Sequence, residues 1–293
     1  MRRPRWWSLL VLAAALALVA AACGGGEQPT GGGETGTPGK PDLLQQILDA
    51  GVLRVATDPA YPPASFLDEE TGEWKGFDVD VAREIAKRLG VELEFVTPAW
   101  ETIIAGNWQG RWDLSVGSMT VTPERAQVLH FVTPYYYTPA AVAVREEDAG
   151  KYRDIATDFD GKTIGVCGGC TYELYLRKTL NIPGEQIDFV IDDADIRTYD
   201  TDTTAIADLV AGRLDAVISA EPILQGAIDR GRPIVIVGRV FYEPLSVAID
   251  KNAPADPTRF VERVDEIIKQ MHEDGTLSRL SVKWFGTDLT VKE

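Results

Sequence analysis

From Leu43 onward, apolar positions recur alternately at strand spacing and at helix spacing. Val52–Ala56 is a short apolar run around one arginine and reads as a strand. Val79, Ala82, Ile85, Ala86 and Leu89 recur three or four apart, which predicts a helix capped by Asp78 and stopped at Gly90. Val91-Glu92-Leu93-Glu94-Phe95 then alternates apolar with polar, as a half-buried strand does. Further strands are predicted over residues 114–116, 140–144, 162–166, 189–191, 216–219, 234–237 and 245–249. Helices are predicted over 172–180 and 203–211, then over 258–274 up to Gly275, with a short one through Trp284. No internal repeat is visible. Strands alternating with helices give an α/β fold with largely parallel pairing.

The first 22 residues have a different pattern. Arg2, Arg3 and Arg5 precede an apolar run from Trp6 to Ala22, and Val19-Ala20-Ala21-Ala22-Cys23 ends it in small residues. This resembles a bacterial lipoprotein leader, which implies cleavage before Cys23 and lipid on Cys23 as the membrane anchor. A single-pass anchor is the competing reading, but the run is short for a span of about 20 residues. No later stretch is apolar enough to span a bilayer. Residues 24–40 are rich in Gly and Thr and read as a flexible tether. Residues 41–293 are enough for two lobes with separate cores. The net charge of −16 argues against nucleic acid and against a basic membrane-binding patch.

Candidate chemistry concentrates at Ser118-Met119-Thr120-Val121-Thr122-Pro123-Glu124-Arg125. An apolar run ends just before it, and Pro123 sits where a helix begins. Hydroxyls, free backbone N–H groups and a guanidinium thus fall within eight residues, a grouping that suits a carboxylate.

Several segments together resemble the solute-binding proteins of polar amino-acid ABC transporters. They are Thr57-Asp58-Pro59-Ala60-Tyr61-Pro62-Pro63, Gly76-Phe77-Asp78-Val79-Asp80, Met119 to Ala126, and Asp274-Gly275-Thr276-Leu277 before Lys283-Trp284-Phe285-Gly286. The resemblance implies a type II fold of two lobes, 41–137 with 243–293 and 138–242, joined by two crossing strands as a hinge. It implies a monomer without cofactor that closes on an amino acid or analogue and passes it to ABC permease subunits. Arg125 would pair with the ligand's carboxylate, with Ser118, Thr120 and Thr171 as further donors. Tyr61 and Trp100 would form apolar walls, and Asp58 would receive a side-chain amine or amide. Trp108 and Trp112 read as packing, and Asp78 and Asp80 as structural.

Two departures stand out. Where the family places an Asp for the α-ammonium, this chain has Ala220, with Glu221 next to it. A one-residue step on an extended chain reverses the side chain. Either the loop is re-aimed so that Glu221 serves, or the amine is bound elsewhere, or the ligand lacks one. The second departure is Cys167-Gly168-Gly169-Cys170, for which a local disulfide after export and a thiol-redox motif are both open. His130 and His272 are the only histidines and lie far apart, so a metal site is not expected. Catalysis of a dehydratase type on the same fold, and a tethered sensor, are the rival functions.

Overall fold

The computed structural model describes residues 39–292, which fall within one compact unit. The leader, Cys23 and nearly all of the tether lie outside the described residues. Helix α1 (Leu43–Ala50) is capped by the Asp42 side chain, and β1 (Val52–Ala56) follows it. Strands β2 (Ala60–Tyr61), β3 (Ser65–Leu67) and β4 (Trp74–Lys75) make a small separate sheet.

Helix α2 (Phe77–Leu89) lies where the periodicity puts it, and its apolar face, including Val79, Ala82 and Ile85, is buried. Its N-cap, however, is Gly76 and not Asp78. A Cβ at Gly76 would lie 2.2 Å from the Ala64 carbonyl oxygen, so only glycine fits there. Asp78 falls in the first turn and is buried, its carboxylate turned inward.

The first half continues through β5 (Glu92–Val96), α3 (Trp100–Ile104), β6 (Leu114–Thr120), α4 (Pro123–Val128) and β7 (Leu129–Phe131). Strand β8 (Tyr136–Arg145) crosses to the second half. That half holds α5 (Ile155–Asp158), β9 (Lys162–Cys167), α6 (Thr171–Leu176) and β10 (Ala194–Tyr199). It also holds α7 (Asp202–Val210), β11 (Ala216–Ala220) and α8 (Glu221–Asp229). Strand β12 (Ile234–Asp250) returns, and α9 (Thr258–Glu273) and α10 (Thr276–Phe285) pack on the first half.

The main sheet has the order β10-β9-β11-β8-β12-β6-β1-β5, with β7 also on β12. Pairing is parallel toward both ends and antiparallel in the middle, where β8, β12 and β6 meet. Each half has its own core. Leu53, Phe77, Ile85, Val247 and Phe260 belong to one cluster, and Val142, Phe159, Ile164, Ile218 and Phe241 to another. Strands β8 and β12 run side by side between them, with Thr138 opposite Glu243. This is the two-lobe type II architecture, a cleft framed by paired crossing strands.

Four predicted elements came out differently. Residues 189–191 form no strand, because Phe189 packs on Tyr175 and the Val190 N–H donates to the Tyr175 hydroxyl. The sheet edge is instead β10, paired with β9. Helix α6 stops at Leu176, since Lys178 turns to a φ of 59° and the Thr179 N–H bonds back to Leu174. The two strands predicted over 234–237 and 245–249 are one strand of 17 residues, kept continuous across two register shifts.

Candidate functional site: the cleft between the lobes

A cavity of about 370 Å³ opens between the two halves of the fold. Strand ends and helix starts supply its walls, the usual location for ligands in open α/β sheets. Asp58 follows β1, Tyr61 lies on β2, Trp100 begins α3, Thr120 ends β6 and Arg125 lies in α4. From the other side come Thr171 and Tyr172 of α6, Thr201, and Asp202 at the start of α7. Glu243 enters from β12.

Arg125 is buried and held by both lobes. Thr122 caps α4 by accepting from the Arg125 N–H at 3.3 Å, which fixes where the side chain leaves the helix. Its Nη1 donates to the Thr120 carbonyl and its Nη2 to the Gly169 carbonyl, each at 2.9 Å. Its guanidinium lies 5.2 Å from the centre of a Trp100 ring. Burial pulls its pKa down to about 10, which leaves it cationic at neutral pH.

The hydroxyls expected to hold a ligand carboxylate converge on a carboxylate of the chain itself. Glu243 accepts from Thr120 Oγ1 at 2.5 Å, Thr171 Oγ1 at 2.7 Å and the Tyr172 hydroxyl at 3.0 Å. Burial pushes the Glu243 carboxyl up, while these three donors and Arg125 oppose the rise. Sequence reasoning missed Glu243. The available signal was a lone acid at the head of an otherwise apolar strand segment.

Ser118 lines the cleft, but its polar groups are engaged beneath it. At a φ of 52° it donates Oγ–H to Asp78 at 2.7 Å, accepts from the Tyr136 hydroxyl, and gives its N–H to the Tyr135 hydroxyl. Asp78 also accepts from Tyr135 at 2.7 Å. Burial raises Asp78 to about 7 against the Ser118 and Tyr135 hydrogen bonds, with the Asp58 charge adding to the rise. Asp58 takes the Ala60 N–H at 2.7 Å, and burial raises its carboxyl too.

Asp202 was also missed, because an acid opening a helix reads as an ordinary first-turn residue. Only 4% of it is exposed. Burial raises it to about 7; Ser219 opposes the rise, and Asp58 and Glu243 add to it.

Glu221 is not in the cleft, contrary to the expectation from sequence. Its carboxylate pairs with Arg239 at 2.5 and 2.8 Å and faces a second cavity beside Tyr137, Tyr242 and Phe285. The one-residue step from Ala220 turned it away, as strand geometry dictates. Ala220 itself packs into the second core.

Cys167 and Cys170 are joined as a disulfide, and both line the cleft. Their loop presents the Gly169 carbonyl to Arg125, while the Gly169 N–H donates to Glu173. Among the described residues no group of three or more His, Cys, Asp and Glu could hold a metal. Nor is any described helix long and apolar enough to cross a membrane.

A cavity closed between two α/β lobes on paired crossing strands, with arginine and hydroxyls at one place and carboxylates at another, defines a binding protein for a small polar solute. The chain belongs to the bacterial extracellular solute-binding proteins, family 3, which it matches over residues 53–287. It is 32% identical over 252 residues to the L-cystine-binding protein TcyJ of Escherichia coli K12, covering 85% of this chain and 88% of that one. It is 28% identical to the L-arginine-binding protein of Pseudomonas aeruginosa, covering 81% and 89%. Among solved structures it resembles an ancestral amino-acid-binding protein, a precursor of cyclohexadienyl dehydratase. That match has a TM-score of 0.73 and 32% identity, over 83% of this chain and all of that one. It also resembles an ancestral arginine-binding protein bound to arginine, with a TM-score of 0.69 and 30% identity over 80% and 99%.

Proposed function

We propose that this protein captures a small α-amino acid in the cleft and delivers it to the membrane subunits of an ABC transporter, without chemical turnover. The observation that carries the reading is the convergence of Thr120, Thr171 and Tyr172 on one carboxylate position beside the Arg125 cation. Such a donor set suits a carboxylate and little else. A ligand carboxylate reaching Arg125 displaces Glu243 from the two threonines. Because Glu243 rides on a crossing strand, that exchange is coupled to opening and closing of the lobes.

The lobes are assigned as 41–137 with 243–293 and 138–242, on the separation of the two cores and the crossing at Thr138 and Glu243. Tyr61 and Trp100 form walls of the site. Cys23 would tether the protein to the membrane through lipid. Cys23→Ser should then release the protein or block its processing, and normal membrane retention would count against the anchor.

Calorimetric titration with L-amino acids, including cystine, tests the central reading. One-to-one binding at about 1 μM or tighter is expected for at least one of them. Failure of all of them to bind correctly folded protein overturns it. Product analysis of the same mixtures tests the absence of turnover, which matters because one structural relative is a dehydratase precursor.

A further inference from the structure

The Cys167–Cys170 disulfide lies where a structural crosslink is least needed. It joins residues three apart in sequence, so it restricts the unfolded chain little. Both of its cysteines nevertheless line the ligand cavity, together with Arg125 and Thr171. Cys167 ends β9 and is only 5% exposed, whereas Cys170 is half-buried and is the more accessible of the two. The two residues between them are glycines, which put no side chain in front of the bond. Gly169 is needed for the close approach of this loop to the wall. Its φ is +70°, and a Cβ there would lie 3.0 Å from Ile104 Cδ1.

A disulfide is opened by attack of a thiolate on one of its sulfurs, and accessible disulfides are the labile ones. The departing sulfur leaves as a thiolate, which a neighbouring cation stabilises. Arg125 supplies the cation. It is charged at neutral pH, and its Nη2 donates at 2.9 Å to the carbonyl of Gly169, between the two cysteines. The same guanidinium suits a carboxylate on the incoming molecule.

We propose that the Cys167–Cys170 disulfide is an exchange-active site in the wall of the cleft, and that a small thiol carrying a carboxylate is its reactant. The preference for a carboxylate rests on the reading of Arg125 above, and the reactivity of the bond does not. The thiolate of the small molecule attacks Cys170 Sγ. A new S–S bond forms there, the bond to Cys167 breaks, and Cys167 Sγ leaves with the electron pair and takes a proton from water. No oxidant or reductant beyond the thiol is required. The product is a mixed disulfide on Cys170 that lies in the cleft and excludes an amino acid. The exchange modifies the protein and consumes no amino acid, so it stands beside solute capture and controls it.

The test uses the full oxidised chain, treated with 3-mercaptopropionate or the neutral 2-mercaptoethanol, quenched with excess N-ethylmaleimide and weighed intact. Each rate is divided by the thiolate fraction of the thiol and by its rate on oxidised glutathione in the same buffer. On that scale 3-mercaptopropionate should open the bond at least about tenfold faster than 2-mercaptoethanol. The earliest mixed disulfide should map to Cys170. Excess propionate, against chloride at equal ionic strength, should slow 3-mercaptopropionate and leave 2-mercaptoethanol unaffected. Arg125→Gln should reduce the ratio of the two thiols to about twofold or less. The propionate experiment needs no variant, so it decides the matter even where Arg125→Gln folds poorly. A bond that opens only in denaturant is an inert crosslink and overturns the inference, while the amino-acid reading is judged separately by calorimetry. Equal scaled rates for the two thiols, or no effect of propionate, overturn the carboxylate preference. A first adduct on Cys167 overturns the assignment of the attacked sulfur.

Discussion

Arg125 is one residue on which several kinds of interaction act at once. Its guanidinium is buried, still charged, bonded to carbonyls of both lobes and packed on Trp100. Arg125→Ala should weaken amino-acid binding by roughly 30- to 5,000-fold, since truncating one side of a buried charge pair costs about 2–5 kcal/mol. Near-normal affinity with unchanged circular dichroism would remove it from the site. Glu243 has the opposite sign. Its carboxylate occupies donors that a ligand carboxylate needs, and two carboxylates cannot share them at contact distance without repulsion. Glu243→Gln keeps the shape and removes the like charge, so affinity should rise by about threefold to tenfold. A fall in affinity would show that the Glu243 charge helps to hold the ligand. Glu221 makes a control: its pair with Arg239 lies outside the cleft, so Glu221→Gln should change affinity by less than about threefold.

At the level of elements, the loop between β9 and α6 joins the disulfide to the arginine. Cys167 and Cys170 bracket Gly169, whose carbonyl is one of the two that fix the guanidinium. A crosslink three residues apart closes too short a loop to restrict the unfolded chain by much. Its main effect is therefore local. Reduction, or the Cys167→Ser, Cys170→Ser double variant, should weaken binding by more than about fivefold while shifting the thermal midpoint by only a few degrees. A large loss of stability with intact affinity would reverse that assignment. Strand β12 has a different role. As a single strand through both lobes it carries Glu243 to the cleft at the point where the chain crosses.

For the whole molecule, two buried acids set the response to pH. Asp78 beneath the cleft and Asp202 within it are both pushed to about 7 from 3.8 by burial. A carboxyl whose pKa is higher folded than unfolded binds more protons when folded. Its stabilising effect is complete below the unfolded pKa and fades as pH rises through about 7. Without ligand, the thermal midpoint should therefore fall by roughly 10–20 °C between pH 5 and pH 8. Asp78→Asn should make that fall shallower. A midpoint rising over this interval would contradict it. At more acid pH the exposed carboxyls act in the other direction, since Asp274 is held at about 2 chiefly by its Thr276 and Arg88 partners.

The elements readable from sequence are those whose local pattern and packing agree. Helix α2 and helix α9 present one apolar stripe to one core, so their spacing reports their burial directly. The Thr120 to Arg125 segment was legible for a similar reason, because Thr122, Pro123 and Arg125 act on one another over a few residues. The edge strand β10 was not, since it is only half-buried along its length and alternates weakly. Nor was the continuity of β12, whose middle bulges and faces water while its pairing to β8 holds it together. In the site, Asp58, Tyr61, Trp100, Thr120, Arg125 and Thr171 follow recognisable local segments, and all line the cavity. Glu243 and Asp202 could not be placed that way. Each looks like any surface acid in the chain, and burial alone sets it apart. That burial is created when two lobes, far apart in sequence, close over the same space.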